Sequence, residues 1–298
     1  MKLKTLQIGK NLQERITYSS HFLPLSVCID NFDDYFQREW QCHWHDEFEF
    51  GVVQKGTVEF TIYDGQKNII YRLQKGDGIF IGSGYLHSVK GLEPETIMAG
   101  VALPINFFQN IFRQYIRSLM DSGISCIHLH ALNSADKPLL FAIQELCTIS
   151  EQEPAYEFHF IETVCKIWRL LIARSEYDGS TQLPSENKLQ EQRVKKILSL
   201  IHANFGEHIS ISDMAKAAAI SRTECFRCFQ TILGKTPAEY LIEYRLSMAA
   251  TMLTGSDRSL SEIAELCGFN SPSYFGKVFR ERCGTSPKKY RDQVHQKD

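Results

Sequence analysis

The feature that most constrains this chain is an internal repeat near its C-terminus. The run from Ser210 through Asp213 to Ala215 recurs 49 residues later as Ser259, Glu262 and Ala264. Each copy opens with Ser followed three residues on by an acid, a helix-start pattern in which the Ser oxygen accepts an otherwise unpaired backbone N–H. A second match runs at an offset of 50: Ser221, Arg227, Phe229, Gly234, Pro237 and Tyr240 align with Ser271, Lys277, Phe279, Gly284, Pro287 and Tyr290. The change of offset puts a one-residue insertion in the second copy's turn, at Gly268, Phe269 and Asn270, because loops absorb insertions and helices do not. The region therefore builds one supersecondary unit twice.

Each copy reads as a short helix, a tight turn and a longer helix: Ile211 to Ala219 then Arg222 to Leu233, and Leu260 to Cys267 then Pro272 to Cys283. This is helix-turn-helix architecture. Pro272 stands in a first turn, where a missing N–H does no harm, and Gly234 and Gly284 supply the stops. With Cys225, Cys228, Phe229 and Ile232 of one copy and Phe275, Val278 and Phe279 of the other facing inward, the outer faces carry the chemistry. Those faces hold Arg222, Thr223, Phe226, Arg227 and Gln230, and Ser273, Gly276, Lys277 and Arg280. Such a face suits the major groove of double-stranded DNA, with Arg on guanine edges or phosphate, Thr and Ser in shorter contacts, and Phe226 against a thymine methyl. Between the copies, Pro237 to Thr254 reads as one helix whose 18 residues span about 27 Å at about 1.5 Å each. Two recognition helices held on its ends lie near the about 34 Å spacing of successive major grooves.

Charge agrees with a phosphate partner. From Gln190 onward 16 Lys and Arg stand against 12 Asp and Glu, a balance of +4, whereas the preceding residues carry −6.

These residues resemble the AraC/XylS family of bacterial transcription regulators, most closely over Ile263, Ala264, Gly268, Phe269, Tyr274, Phe275, Phe279, Gly284, Pro287 and Tyr290. The resemblance covers Gln190 to Arg291 and implies a sequence-specific DNA-binding regulator that recruits RNA polymerase. It also implies that Thr223, Phe226, Arg227, Ser273, Gly276 and Lys277 face bases or phosphate; Phe226 and Gly276 are unusual residues at such positions.

The N-terminal half follows another pattern. Phe48 to Gln54, Thr57 to Tyr63, Ile69 to Leu73, Ile79 to Ile81 and Thr96 to Leu103 are short β-branched and aromatic runs separated by Gly and Asp, which predicts an antiparallel barrel or sandwich. After Pro104 the period becomes helical over Ile105 to Met120, Lys137 to Ile149 and Tyr156 to Ser175. Phe158, Ile161, Val164, Trp168 and Leu171 form a broad apolar stripe that serves as core or as the seam of a homodimer. The polar stretch from Asp178 to Asn187, with Gly and Pro and no periodicity, reads as a linker.

His43, His45, Glu49 and Gly56 keep the spacing H-x-H-x3-E-x6-G, and Gly76, Asp77, Gly82 and His87 follow as a second motif. Together they resemble the cupin superfamily, with Gly82 in place of the usual Pro and Gly91 in place of Asn. That resemblance implies a small β-barrel into which His43, His45, Glu49 and His87 converge. The expected fold is thus multidomain: a cupin-like β-barrel with flanking helices over 1–178, a linker over 179–189, and an all-α double helix-turn-helix domain over 190–298.

The favoured reading is an effector pocket in which His43, His45, Glu49 and His87 hydrogen-bond a small polar molecule while Trp44 offers an apolar face, a combination that suits a carbohydrate. No cofactor and no catalysis are expected. The alternative is a metal-dependent cupin enzyme fused to a DNA-binding domain, with the same four residues as ligands to a divalent ion. Nine cysteines at irregular spacing form no disulfide framework, and Cys225 and Cys228, formally a C-x-x-C pair, lie on the apolar side of a helix. The apolar runs are too short to span a bilayer, and the N-terminus has no signal-like core, so a cytoplasmic activator is expected.

Overall fold

The computed structural model describes residues 3–6, 8, 12–18, 25–63, 68–104, 124–177 and 187–295. Its N-terminal part is a sandwich of two antiparallel sheets. One holds β1 (Ser26–Asn31), β8 (Ile97–Leu103), β3 (Phe48–Lys55), β6 (Gly78–Ile81) and β9 (Cys126–Leu129), in that order. The other holds β2 (Glu39–His43), β7 (His87–Gly91), β4 (Thr57–Ile62) and β5 (Ile69–Gln74). Among the described residues no ladder joins the two sheets. The cupin-like fold takes the double-sheet jelly-roll form rather than a closed barrel.

Strand β3 shows why the sandwich forms. Successive side chains point to opposite faces of a sheet, and both faces of β3 are covered. Phe48, Phe50 and Val52 pack with α1 (Lys137–Leu146) and α2 (Tyr156–Tyr177) through Leu139, Ile143, Val164, Trp168 and Leu171. On the opposite face Val53 joins Val58, Phe60, Ile62 and Val89 between the sheets. Glu49 lies on that inner face, so a carboxylate is built into the interior. Double coverage also erases the alternation a half-exposed strand displays, and β3 is buried on both faces from Phe48 to Val53.

Four strands carry no clear signal in the sequence: β1, β2, β7 and β9. Of the three expected N-terminal helices, α1 and α2 form, and Ile105 to Met120 lies outside the described residues. The expected linker lies there too, except that α3 (Asn187–Asn204) begins inside its last three positions. Among the described residues no helix is long and apolar enough to cross a membrane.

The C-terminal part contains the expected pairs α4 (Ile211–Ala217) with α5 (Arg222–Leu233) and α7 (Leu260–Leu266) with α8 (Pro272–Cys283), joined by α6 (Pro237–Gly255) and followed by α9 (Pro287–His295). Ser210 and Ser259 each make the full reciprocal cap with Asp213 and Glu262. Gly234 and Gly284 end their helices in the left-handed region, at φ 65° and 72°. The insertion falls in the turn: Ile220 N–H reaches Ala215 carbonyl at 3.0 Å in copy one, and Phe269 N–H reaches Ala264 carbonyl at 2.9 Å in copy two, after which copy two has one more residue before its next cap.

The repeat extends further than the sequence reveals. Helix α3 starts 50 residues before α6, and each supplies the long helix of its own unit. Phe229 meets Tyr240 edge-on at 75°, and Phe279 meets Tyr290 at 76°.

Candidate DNA-binding surface and ligand chamber

Helix α5 buries Cys225, Cys228, Phe229 and Ile232, and leaves Arg222, Thr223, Phe226, Arg227 and Gln230 exposed. Helix α8 buries Phe275, Val278 and Phe279, leaves Ser273, Lys277 and Arg280 exposed and Gly276 half-buried. Each expected set thus shares one face of one helix. Two further side chains on or beside these faces were not read from the sequence. Tyr274 is an exposed aromatic beside Ser273. Arg193, on α3, reaches Glu224 Oε1 at 3.0 Å, a long-range contact that no local spacing reveals.

The faces differ electrostatically. Arg227 makes a two-pronged pair with Glu224, at 2.8 and 2.7 Å, and its hydrogen bond holds the Glu224 carboxyl down to about 2. Lys277 stands 72% exposed with Glu281 3.9 Å away. A Cβ built on Gly276 would meet nothing within 4 Å, so the middle of the α8 face is open. Buried surroundings push the Cys225 thiol up to about 11 and raise Cys228 as well, which disfavours the thiolate in the C-x-x-C pair.

In the sandwich, β2 ends on His43, which pairs across the ladder with His87 at the start of β7. His45 follows in the β2–β3 connection and Glu49 in β3. All four are buried. The His43 and His87 rings are 4.2 Å apart, and His45 and His87 5.2 Å. Each imidazole turns Nδ1 to a backbone carbonyl: His43 to Gln41 at 2.7 Å, His45 to Glu47 at 3.1 Å and His87 to Tyr85 at 3.0 Å. A neutral ring held this way donates from Nδ1 and keeps its Nε2 lone pair for the interior. His45 Nε2 bonds Glu49 Oε2 at 3.2 Å. His87 Nε2 is as close to the same oxygen, but at an angle that makes no hydrogen bond.

Burial drives His43 far toward its neutral form, reinforced by the neighbouring His87 and His45. Burial acts the same way on His45, yet its bond to Glu49 and the surrounding carboxylates outweigh it and raise its pKa. For Glu49 burial is likewise overcome by its two histidine neighbours, and its pKa is lowered. The chamber thus sets His45, hydrogen-bonded to Glu49, beside a His43 that burial disfavours from carrying charge.

An N-terminal arm closes on this group. Trp44 N–H bonds the Leu12 carbonyl at 3.1 Å and Glu14 N–H bonds the Trp44 carbonyl at 2.8 Å. Glu14 Oε2 then lies 3.4 Å from His43 Nε2, and burial pushes its carboxyl up to about 7. Sequence reading missed Glu14 because no motif includes it. Trp44, between the two histidines in sequence, packs with the core of the first helix-turn-helix unit and lies under Lys195 of α3, whose Nζ is 4.6 Å from the ring centre. Lys195 also donates to the Gly84 carbonyl at 2.6 Å, and Leu12, Cys42 and Leu86 join the core of the first helix-turn-helix unit.

The three inward Nε2 positions and Glu49 suit a divalent ion as well as a polar organic molecule. The ligand atoms of His43, His45 and His87 lie within 4.8 Å of one another.

Known proteins agree with both halves. The model of an AraC-like ligand-binding domain matches residues 27–92, and that of a helix-turn-helix domain matches residues 214–293. The HTH-type transcriptional regulator YdeC of Bacillus subtilis is 28% identical over 297 residues, covering 97% of this chain and 99% of that protein. The lactose operon transcription activator of Staphylococcus xylosus is 22% identical over 82% of this chain and 89% of its own length. Among solved structures, the DNA-binding domain of the transcriptional factor AdpA, bound to a target DNA, is 30% identical over 35% of this chain and 94% of its own, with a TM-score of 0.34. Two domain matches in the expected order and a regulator matched nearly end to end lead to one conclusion: the chain belongs to the AraC/XylS family, as a DNA-binding transcription regulator with an N-terminal ligand-binding domain.

Proposed function

We propose that this regulator is an activator that places α5 and α8 in successive major grooves and responds to a small polar effector, with a carbohydrate as the favoured class. The observation that carries the DNA reading is the exposure of Arg222, Thr223, Phe226, Arg227 and Gln230 on one helix and Ser273, Lys277 and Arg280, beside half-buried Gly276, on the other. Arg227 and Lys277 contact phosphate or guanine, and the small face around Gly276 admits the backbone closely. The divisions are 1–178 for effector binding and homodimerisation, 179–189 as linker and 190–298 for DNA, with RNA polymerase as the further partner.

The test is DNA affinity across a salt series. Arg227→Ala and Lys277→Ala are each expected to weaken binding and to lower the salt slope by about 0.9. Unchanged binding by the double variant refutes the assignment of these two residues.

The effector reading rests on the buried, hydrogen-bonding group His43, His45, Glu49 and His87 with Glu14 drawn over it. Hydroxyl groups exchange readily for such mutual contacts, and a ligand competing with Glu14 couples the chamber to the arm. A sugar panel is expected to contain a compound that raises the melting temperature of the wild type and not of Glu49→Gln. A second reading, a divalent ion in the same group, is favoured by the three carbonyl-held Nδ1 atoms; stoichiometric metal lost in His87→Ala distinguishes it.

A further inference from the structure

A second group of potential ligands lies at the other end of strand β6. Glu49 pairs with Ile81, the last residue of that strand, whereas Asp77 precedes its first. Four residues at about 3.3 Å each separate the two ends by about 13 Å. Across β6, His128 of β9 pairs with Ile79, and His130 follows two residues on, with the same facing. The rings of His128 and His130 are only 3.8 Å apart. One ligand atom from each of Asp77, His128 and His130 falls within 4.8 Å of the others.

Asp77 has a structural role that explains its own position: its oxygens accept from Gln74 N–H at 3.0 Å and Ala131 N–H at 2.9 Å. That role does not explain the histidines. His128 Nε2 is buried without a hydrogen-bond partner, 4.0 Å from Asp77 Oδ2. A buried polar atom left unpaired costs about 1–3 kcal/mol, and the contact between the two rings does not satisfy it.

We propose that Asp77, His128 and His130 form a binding site for a borderline divalent transition-metal ion, distinct from the His43, His45 and His87 chamber. Two imidazoles and a carboxylate suit Zn²⁺, Co²⁺ or Ni²⁺ and disfavour hard Mg²⁺ or Ca²⁺. Ligand bonds of about 2.0–2.2 Å set tetrahedral ligands about 3.3 Å apart. Exposed His130 closes most of the remaining distance, and solvent fills the fourth position. The Asp77 carboxylate, already held by two backbone N–H groups, is oriented in advance. The ion ties the β5–β6 turn to the segment entering α1. There His130 N–H donates to Asp136 Oδ2 at 3.0 Å, and Asp136 in turn holds Arg174 of α2 at 2.5 Å. Occupancy therefore stiffens the attachment of both helices to the sheet.

Zn²⁺ titration of the full chain against a chromophoric chelator tests this directly. His130→Ala removes an exposed side chain, so its metal-free melting curve is expected to overlay the wild type. Its stoichiometry is expected to fall by one ion, or its affinity by at least about 10- to 100-fold, and His128→Gln is expected to do the same. Wild-type stoichiometry and affinity in His130→Ala overturn the proposal. So does loss in His130→Ala with none in His128→Gln, which is an ion held by a single surface imidazole. Co²⁺ substitution adds an independent readout: a thiolate charge-transfer band assigns the ion to cysteine and likewise rejects the site.

Discussion

The two helix-turn-helix units share caps, turns and aromatic pairs, yet they are set in different surroundings. Unit one takes Leu12, Cys42 and Leu86 of the ligand-binding part into its core. Unit two meets that part at its edge, through Phe36 against Tyr290 and Gln37 on the Arg282 carbonyl. Unit one also holds its exposed arginine in an ion-pair network, while unit two presents an extended lysine and a bare glycine. A duplicated element has thus divided its labour. One copy shares its core with the neighbouring part, and the other touches that part only at its edge.

The largest expected difference between them is in acid. Fifty residues separate His202 in unit one from Met252 in unit two. His202 is buried, bonds the Tyr240 hydroxyl at 2.9 Å and stacks on Tyr244, and burial pulls its pKa from 6.5 down to about 3. Between those values the unfolded chain carries a proton that the folded chain refuses. Stability is therefore intact above 6.5 and falls as the pH drops toward 3, at about 1.4 kcal/mol per unit. Urea unfolding at pH 7 and pH 5 is expected to differ by about 2 kcal/mol more in the wild type than in His202→Met. Parallel pH profiles for the two proteins contradict this account.

A smaller difference sits in the turns. Copy one has Ala219 at φ 55° where copy two has Gly268 at φ 71°. A Cβ on Gly268 would come within 2.7 Å of the Phe205 carbonyl oxygen and of Arg245 Nη2, where Arg245 ties that carbonyl to α6. Gly268→Ala is expected to destabilise unit two by about 1–2 kcal/mol from the left-handed backbone, with further loss from that contact. Denaturation of the full chain measures it, and a neutral result breaks the proposed equivalence of the turns.

The smallest effect is the reverse exchange. Ala219→Gly relieves the strained backbone of copy one but adds freedom to the unfolded chain, and the two terms nearly cancel. A net change within about 1 kcal/mol is expected. A loss well beyond that would show that the Ala219 methyl packs in a way its copy-two counterpart does not.

The repeat made the C-terminal fold legible because capping serines, stop glycines and paired aromatics act locally, at fixed offsets. The kinship of α3 with α6 stayed hidden: the two helices share only their role, and Tyr244 on one answers Val194 on the other. In the sandwich, β3 and β4 were readable from composition, but β2, with His43 and Trp40, owes its place to the strand it pairs with. The histidine cluster followed from motif spacing. Glu14 did not, because its approach depends on an arm paired to Trp44 across 30 residues of sequence. The packing of Trp44 against Lys195 and the core of unit one was equally hidden, because those partners lie far along the sequence.

Helix α6 runs from the anchored unit to the free one, and its 19 residues make a rod of about 28 Å at about 1.5 Å each. With the edge contacts of Phe36 and Gln37 released, such a rod acts as a lever fixed at its unit-one end. A tilt of only about 10° at the fulcrum swings the far unit by about 5 Å, more than the about 3.4 Å between successive bases of a DNA strand. A movement of unit one that tilted the rod this far would shift the register of unit two on DNA.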